Sequence, residues 1–364
     1  GAGWAPSTFT ATSTLNLNAY RRMGHGIEFK SAWTVQRVFL LAAILYVDDG
    51  DLLEVALPGV TDDEFIDQVQ QAVYDWGKLA QALGGYLKQK KSFSYFVGYK
   101  FRQGVAKLKK LREWKSTHLL IPQPGGRDMV PIPILDPTES KEKLGVLLNP
   151  AGKFTDQRAA MKKKGLDWAA ALRTNHVTPN QGWKYFDAQL KPKLYWGLVA
   201  MSDDPTKLEE EIHRVFYQVL SPLRVNQHIT REYRMMLPEH QGLGMFNINV
   251  DCLGKKISYM RRNWLCGTSV SNLLFHAYQT FRVDLGLGGH IFQANYEKFK
   301  KLSGDDGWYK HLWQLCWRYR IKLSVHQDND PGPIRQGDQT IRTPLLVRSN
   351  SLFINFNNYN VFDT

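Results

Sequence analysis

Residues 39–53, Phe-Leu-Leu-Ala-Ala-Ile-Leu-Tyr-Val-Asp-Asp-Gly-Asp-Leu-Leu, constrain this chain more than any other stretch. A short apolar, β-capable run rises to Tyr46 and Val47. It meets two adjacent carboxylates, Asp48 and Asp49, then Gly50 and Asp51, and resumes with Leu52 and Leu53. The pattern reads as strand, tight turn, strand, with Asp49-Gly50 as the hairpin signal. Neighbouring carboxylates at the end of a buried strand repel one another unless a cation shares them. Hard carboxylate oxygens suit Mg²⁺, with Mn²⁺ as the second candidate. The plain alternative is a solvated polar hairpin tip, and the flanking sequence has to decide.

Composition narrows the partners. The chain has 364 residues with 43% hydrophobic content, enough for two or three domains and a packed core. Its formal net charge is +13, which favours a polyanion, most simply nucleic acid, over neutral partners; an acidic membrane surface is the competing reading. Cys252, Cys266 and Cys316 are far apart and form no Cys-x-x-Cys pair, so neither a disulfide framework nor a zinc site is supported. No apolar run reaches transmembrane length and no signal peptide is visible, so an intracellular protein without membrane partners is expected.

The flanks carry further patterns. Ahead of the acidic stretch, Gly1, Gly3 and Pro6 form a small-residue turn, and the spacing predicts a helix over 10–23 before Gly24-His25-Gly26. Glycines there permit a close backbone approach or simply a loop. After it, Thr61 and Glu64 form a capping box for an amphipathic helix over 61–85, stopped by Gly84-Gly85. Lys88, Lys90 and Lys91 follow in a loop, then an alternating strand over 93–101 and a turn at 102–104. Residues 116–150 hold seven prolines and glycines between 122 and 137, which predicts loops and short strands. Leu144-Gly145-Val146 then leads to an Asn149-Pro150-x-Gly152 hairpin turn. Helices are predicted over 157–174, 179–201 and 205–220, the first bearing Arg158, Lys162, Lys163 and Lys164. Further helices are expected at 251–264, 269–285 and 307–323, while His311, Cys316 and His326 lack metal-ligand spacing.

Tyr46-Val47-Asp48-Asp49 resembles the metal-binding motif of reverse transcriptases. The Gly1–Pro6 turn resembles that family's motif B, which supports template and incoming nucleotide, as does Tyr46. The glycine, lysine-bearing loop and strand around Lys91 resemble motif D. Leu144, Gly145 and Val146 resemble the primer grip, and the basic helix with Lys162, Lys163 and Lys164 resembles the thumb that contacts duplex phosphates. The sequence Leu237-Pro238-Glu239-His240-Gln241-Gly242-Leu243-Gly244 is similar to the Pro-x-x-Gly-Gly-Leu-Gly pattern of non-long-terminal-repeat retroelement polymerases, with Gln241 in place of one glycine. These motifs follow one another in family order.

The resemblance implies an α+β fold: a partial polymerase palm over 1–115, a connecting loop and primer-grip hairpin over 116–153, a helical thumb over 154–235 and a mainly helical region over 236–364. It implies RNA-directed DNA synthesis by two-metal nucleotidyl transfer. Asp48 and Asp49 would ligate Mg²⁺, and Lys91 would protonate or clamp the leaving pyrophosphate. An RNA template, a DNA primer and deoxynucleoside triphosphates would be the partners. The family also needs a motif A aspartate and fingers, and neither is recognised in these residues. The chain is therefore expected to be a fragment of a longer enzyme, inactive by itself. Two other readings remain open. Asp49-Gly50-Asp51 is also an Asp-x-Asp pattern of a nucleotide-sugar glycosyltransferase, and a basic, non-catalytic nucleic-acid-binding remnant would carry the same thumb.

Overall fold

The computed structural model describes residues 5–30, 37–46, 49–103, 105–123, 128–175, 177–264, 266–287, 290–303 and 307–325, with two-residue strands at 339–340 and 360–361. The fold is α+β, with small antiparallel and mixed sheets in the first part and helices in the second. The described residues fall into two compact units that divide between Glu139 and Ser140.

The first unit holds helix α1 (Ala5–Arg22), strands β1 (Ile27–Lys30), β2 (Arg37–Leu41), β3 (Ala43–Tyr46) and β4 (Asp49–Leu52), helix α2 (Asp62–Ala82), and strands β5 (Ser94–Tyr95), β6 (Tyr99–Arg102), β7 (Val105–Leu108), β8 (His118–Pro122) and β9 (Met129–Leu135). Helix α2 is its centre. Thr61 and Glu64 make the reciprocal capping box that the sequence predicts. One side of α2, with Val69, packs on Phe96, Leu119, Ile121 and Ile132. Gly77 lets the helix approach β8, because a Cβ there would lie 2.5 Å from Pro122 Cγ. Ala72 and Trp76, on the adjoining part of the same face, pack with Tyr20, Ala42 and Leu52.

Strand β9 lies between β5 and β8. Residues 116–150 are thus more regular than their prolines imply. Pro131 and Pro133 fit within β9 because β5 pairs only with Ile134 and Leu135, leaving the prolines where no neighbour on that side needs an N–H. The outer edge of β8 is closed by Gln70, whose amide donates to the Leu120 carbonyl at 2.8 Å and accepts from the Leu120 N–H at 2.8 Å.

The second unit begins with the hairpin of β10 (Lys141–Lys143) and β11 (Val146–Leu148). The helices α3 (Thr155–Thr174), α4 (Pro179–Tyr185), α5 (Lys191–Tyr195), α6 (Pro205–Leu220), α7 (Arg231–Met235), α8 (Ile248–Asn263), α9 (Ser269–Leu285), α10 (Tyr296–Phe299) and α11 (Trp308–Arg318) follow. Met161, Leu172, Ile212, Phe216, Leu253, Tyr278 and Trp313 belong to one apolar cluster, so the helices before and after residue 235 share a core. The helix predicted over 179–201 is broken by a π-helical turn, Phe186–Leu190, just before Pro192. Proline removes an N–H and clashes with the preceding turn, and a wider turn accommodates both.

Candidate functional site

The acidic stretch forms an antiparallel hairpin with Tyr46 opposite Asp49, Leu45 opposite Gly50, Ile44 opposite Asp51 and Ala43 opposite Leu52. The turn therefore precedes Asp49-Gly50, and Gly50 sits within β4. Centring it on Asp-Gly would put Leu45 against Glu54. The observed register instead lets Leu45 cover Gly50, where an added Cβ would lie 3.0 Å from Leu45 Cδ2. Strand alternation places Ala43, Leu45, Gly50 and Leu52 on one face, with Leu52 against the Tyr20–Ala42–Ala72 cluster. Ile44, Tyr46, Asp49 and Asp51 share the other face, where Tyr46 is 59% and Ile44 53% exposed.

Asp48 and Val47 lie outside the described residues, as do Gly1 and Gly3, and Pro6 is described only as part of the α1 backbone. Asp49 is the described member of the carboxylate pair, exposed at the start of β4. Among the described residues no group of three or more His, Cys, Asp or Glu side chains is arranged to hold a metal ion. The donor set that the sequence offers, adjacent carboxylates with an exposed flank, fits a hard divalent cation, which Asp48 and Asp49 would hold.

Beneath the hairpin is a polar cluster that the sequence does not announce. His25 places Nδ1 3.2 Å from Glu54 Oε1 and Nε2 3.0 Å from Asp75 Oδ2. Tyr20 donates its hydroxyl hydrogen to Glu54 Oε1 at 2.9 Å and stacks on the His25 ring. Burial, reinforced by Glu54, pushes the Tyr20 hydroxyl well above its ordinary pKa. The cluster joins α1, the exit of β4 and α2. Gly26 holds φ 122° and brings the backbone so close that a Cβ would lie 2.9 Å from Ala42 Cα. The close approach permitted by that glycine is to the protein's own strand. Positions 25, 54 and 75 are too far apart in sequence for a local pattern to link them.

Lys91 is exposed on a 3₁₀ turn, Gln89–Lys91, and its N–H donates to the Lys88 carbonyl at 2.9 Å. In the second unit the hairpin turn falls at Leu144-Gly145 and not at Asn149-Pro150. Leu144 (φ 50°) and Gly145 (φ 82°) are both left-handed, as a two-residue turn between the paired Lys143 and Val146 requires. Trp196 explains why this turn holds: its indole N–H donates to the Leu144 carbonyl at 2.5 Å. Val146 is buried and Leu144 is 48% exposed. Asn149 turns the chain into α3, its amide donating to the Lys153 carbonyl.

The basic face of α3 is divided. Met161, Gly165, Trp168 and Leu172 are buried, and Gly165 has Val215 Cγ1 2.4 Å from where its Cβ would be. Arg158 is ion-paired to Asp203, and Lys162 lies 2.6 Å from Glu211, holding that carboxyl below its usual range. Lys163 and Lys164 are exposed, so they carry the charge that the helix offers to solvent. Gln241 occupies the position where the resemblance expects glycine, and its φ of 64° lies in the region that favours glycine. Gly242 beside it has no room for a Cβ, which would lie 2.1 Å from the Met236 carbonyl oxygen.

His311 and Cys316 are buried in α11, and His326 lies outside the described residues. Lys256 of α8 is fully buried over the Trp308 ring, 4.5 Å from its centroid. No helix among the described residues is long and apolar enough to cross a membrane. No protein-family model, curated protein or solved structure matches the chain.

Proposed function

We propose that the chain is part of an RNA-directed DNA polymerase, a reverse transcriptase of the non-long-terminal-repeat retroelement type, with Asp48 and Asp49 as its metal ligands. The observation that carries this reading is the β3–β4 register. It sets Tyr46 opposite Asp49 on an exposed face, while the opposite face is packed against α1 and α2. That is what a metal-bearing turn needs: Asp49 accessible to a charged substrate, on strands fixed from behind. Mg²⁺ held there, or Mn²⁺ in its place, would supply Lewis-acid stabilisation of the transferring phosphoryl group.

The remaining residues have matching tasks. Lys91 would neutralise or protonate the leaving pyrophosphate. Leu144, Gly145 and Val146 would hold the primer end. Lys163 and Lys164 would meet phosphates of the RNA–DNA duplex, whose wide, shallow minor groove is held by shape and backbone contacts. Two carboxylates from one turn do not by themselves complete a two-metal clamp, so extension of a primer would need a further carboxylate beside them.

Fluorescence anisotropy with an RNA–DNA template–primer tests the proposal. Binding should weaken with salt and tighten when Mg²⁺ and a complementary deoxynucleoside triphosphate are added, and Asp49→Asn should remove the second effect. Duplex binding indifferent to Mg²⁺ would favour a non-catalytic remnant. Asp49 and Asp51 share one strand face, which is the observation favouring the Asp-x-Asp reading. Binding of a nucleotide sugar with Mn²⁺, without affinity for duplex, would establish it.

A further inference from the structure

The β6–β7 hairpin is unlike the rest of the first unit, because neither of its faces is packed. Tyr99 pairs with Leu108, Lys100 with Lys107, Phe101 with Ala106 and Arg102 with Val105. Residues opposite one another share a face, so Tyr99, Phe101, Ala106 and Leu108 form one side and Lys100, Arg102, Val105 and Lys107 the other. Phe101 is 74%, Val105 56% and Tyr99 55% exposed. Leaving two aromatic rings in water is unfavourable, and such exposure marks surfaces that meet a partner.

The base of the ribbon is rigid. Gly98 sits on Trp114, where a Cβ would lie 2.8 Å from the indole ring, and its carbonyl accepts from the Lys109 N–H at 2.8 Å. Lys109 and Lys115 are tied to Asp62 and Asp63 in the first turn of α2, and Lys100 is tied to Glu113. Arg102 and Lys107 are exposed and make no ion pair among the described residues, whereas Lys110 and Arg112 act on the carboxyls of Asp136 and Glu113. Cations needed to hold the ribbon are thus neutralised, while others near it are left for a partner.

We propose that the β6–β7 ribbon is a binding site for single-stranded RNA, with Tyr99 and Phe101 as stacking platforms and Arg102 and Lys107 as phosphate contacts. Alternate residues of one strand stand about 6.7 Å apart, so each ring has room for its own base. Stacking on aromatic side chains beside basic residues is how single strands are held without sequence preference. The Tyr99 hydroxyl and the Gln103 amide at the tip add groups that a 2′-hydroxyl can pair with, which selects RNA. An anionic bilayer would also attract the cations. However, Arg102 and Lys107 lie on the face opposite Tyr99 and Phe101, so a bilayer that took up the rings would leave these cations turned away from its headgroups, whereas a nucleotide strand can wrap both sides. A protein interface would bury few lysines at its centre.

This inference goes beyond the polymerase reading and does not require the aspartate turn to function. Anisotropy of a labelled, unstructured RNA of about 12 nucleotides tests it, a length within the usual site sizes. The assay contains neither Mg²⁺ nor primer, so its outcome is separable from the metal-dependent test above. Tyr99→Ser with Phe101→Ser should weaken binding by roughly tenfold or more. Arg102→Gln with Lys107→Gln should lower the salt slope by about 1.4. All four side chains are exposed or at the ribbon tip, and unchanged circular dichroism would show that the variants fold. Unchanged affinity and slope in both variants would overturn the proposal. Equal binding of DNA of the same sequence would overturn the assignment to RNA. Loss of binding to phosphatidylserine vesicles, with RNA affinity intact, would make the ribbon a membrane contact instead.

Discussion

Tyr46 lies directly opposite Asp49 across the β3–β4 hairpin, and this pairing decides which side chains face solvent. It puts Ile44 on the open face and Leu52 against the Tyr20–Ala42–Ala72 cluster. Leu52→Ala should therefore cost about 2 kcal/mol of stability in the first unit, the low end for a leucine that is only partly buried. Ile44→Ala should cost less than about 0.5 kcal/mol. Urea denaturation of the two variants separates these outcomes, and a register slipped by one residue would exchange them.

His25 bridges Glu54 and Asp75 from within the fold, so its removal takes a hydrogen-bonding partner from each of two carboxylates and leaves a gap beneath the hairpin. His25→Ala should destabilise the first unit by about 3 kcal/mol, because two buried hydrogen-bonding contacts and the ring stacked on Tyr20 are lost together. Thermal unfolding measures it. Gln71, which donates to Asp75 at 2.8 Å from the next turn of α2, sits at the edge of this cluster, and Gln71→Ala should cost less than half as much, about 1 kcal/mol.

What the sequence reveals and what it hides divides along the range of the interaction. The cap of α2 is legible because Thr61 and Glu64 are three residues apart. Helix α9 is legible because its spacing and the following Gly286 are local, and that glycine ends it in the left-handed region. The acidic hairpin is legible as a hairpin. Its turn is placed wrongly because Asp49-Gly50 mimics a loop signal that burial of Leu45 and Leu52 overrides. The Leu144-Gly145 turn is hidden for a related reason. Leucine carries no turn signal, and the indole that secures it comes from Trp196. The His25–Glu54–Asp75 cluster depends wholly on tertiary contact.

Leu144 and Gln241 both hold left-handed backbone, which costs a side chain about 1 kcal/mol. Their replacement should nonetheless have different consequences. Gln241→Gly should stabilise the second unit by about 0.5–1 kcal/mol without altering nucleic-acid binding. Leu144→Asn should stabilise it similarly but weaken template–primer binding if Leu144 holds the primer end as proposed. Denaturation together with duplex anisotropy distinguishes the two.

The buried cations of the second unit predict its response to pH. Burial pushes Lys256 down to about 7, and burial with the nearby Lys256 pushes His311 down to about 3. Both groups are held neutral by the fold above those values, while the unfolded chain protonates them near their ordinary values of about 10.4 and 6.5. The contribution of these two groups to stability is therefore greatest at high pH. It falls as pH drops toward 7 through Lys256, and again from about 6.5 toward 3 through His311. Lys256→Met should remove the first fall and raise stability at pH 7 by on the order of 2–4 kcal/mol. Guanidinium unfolding at pH 9, 7 and 5 follows the change.

The central claim, that the turn after Tyr46 carries the metal, is tested most directly by Mn²⁺ titration of the chain followed by electron paramagnetic resonance. Asp48→Asn and Asp49→Asn should each weaken Mn²⁺ binding by roughly tenfold or more, while Asp51→Asn should leave it unchanged. Equal losses in Asp49→Asn and Asp51→Asn, with Asp48→Asn indistinguishable from the parent chain, would contradict it.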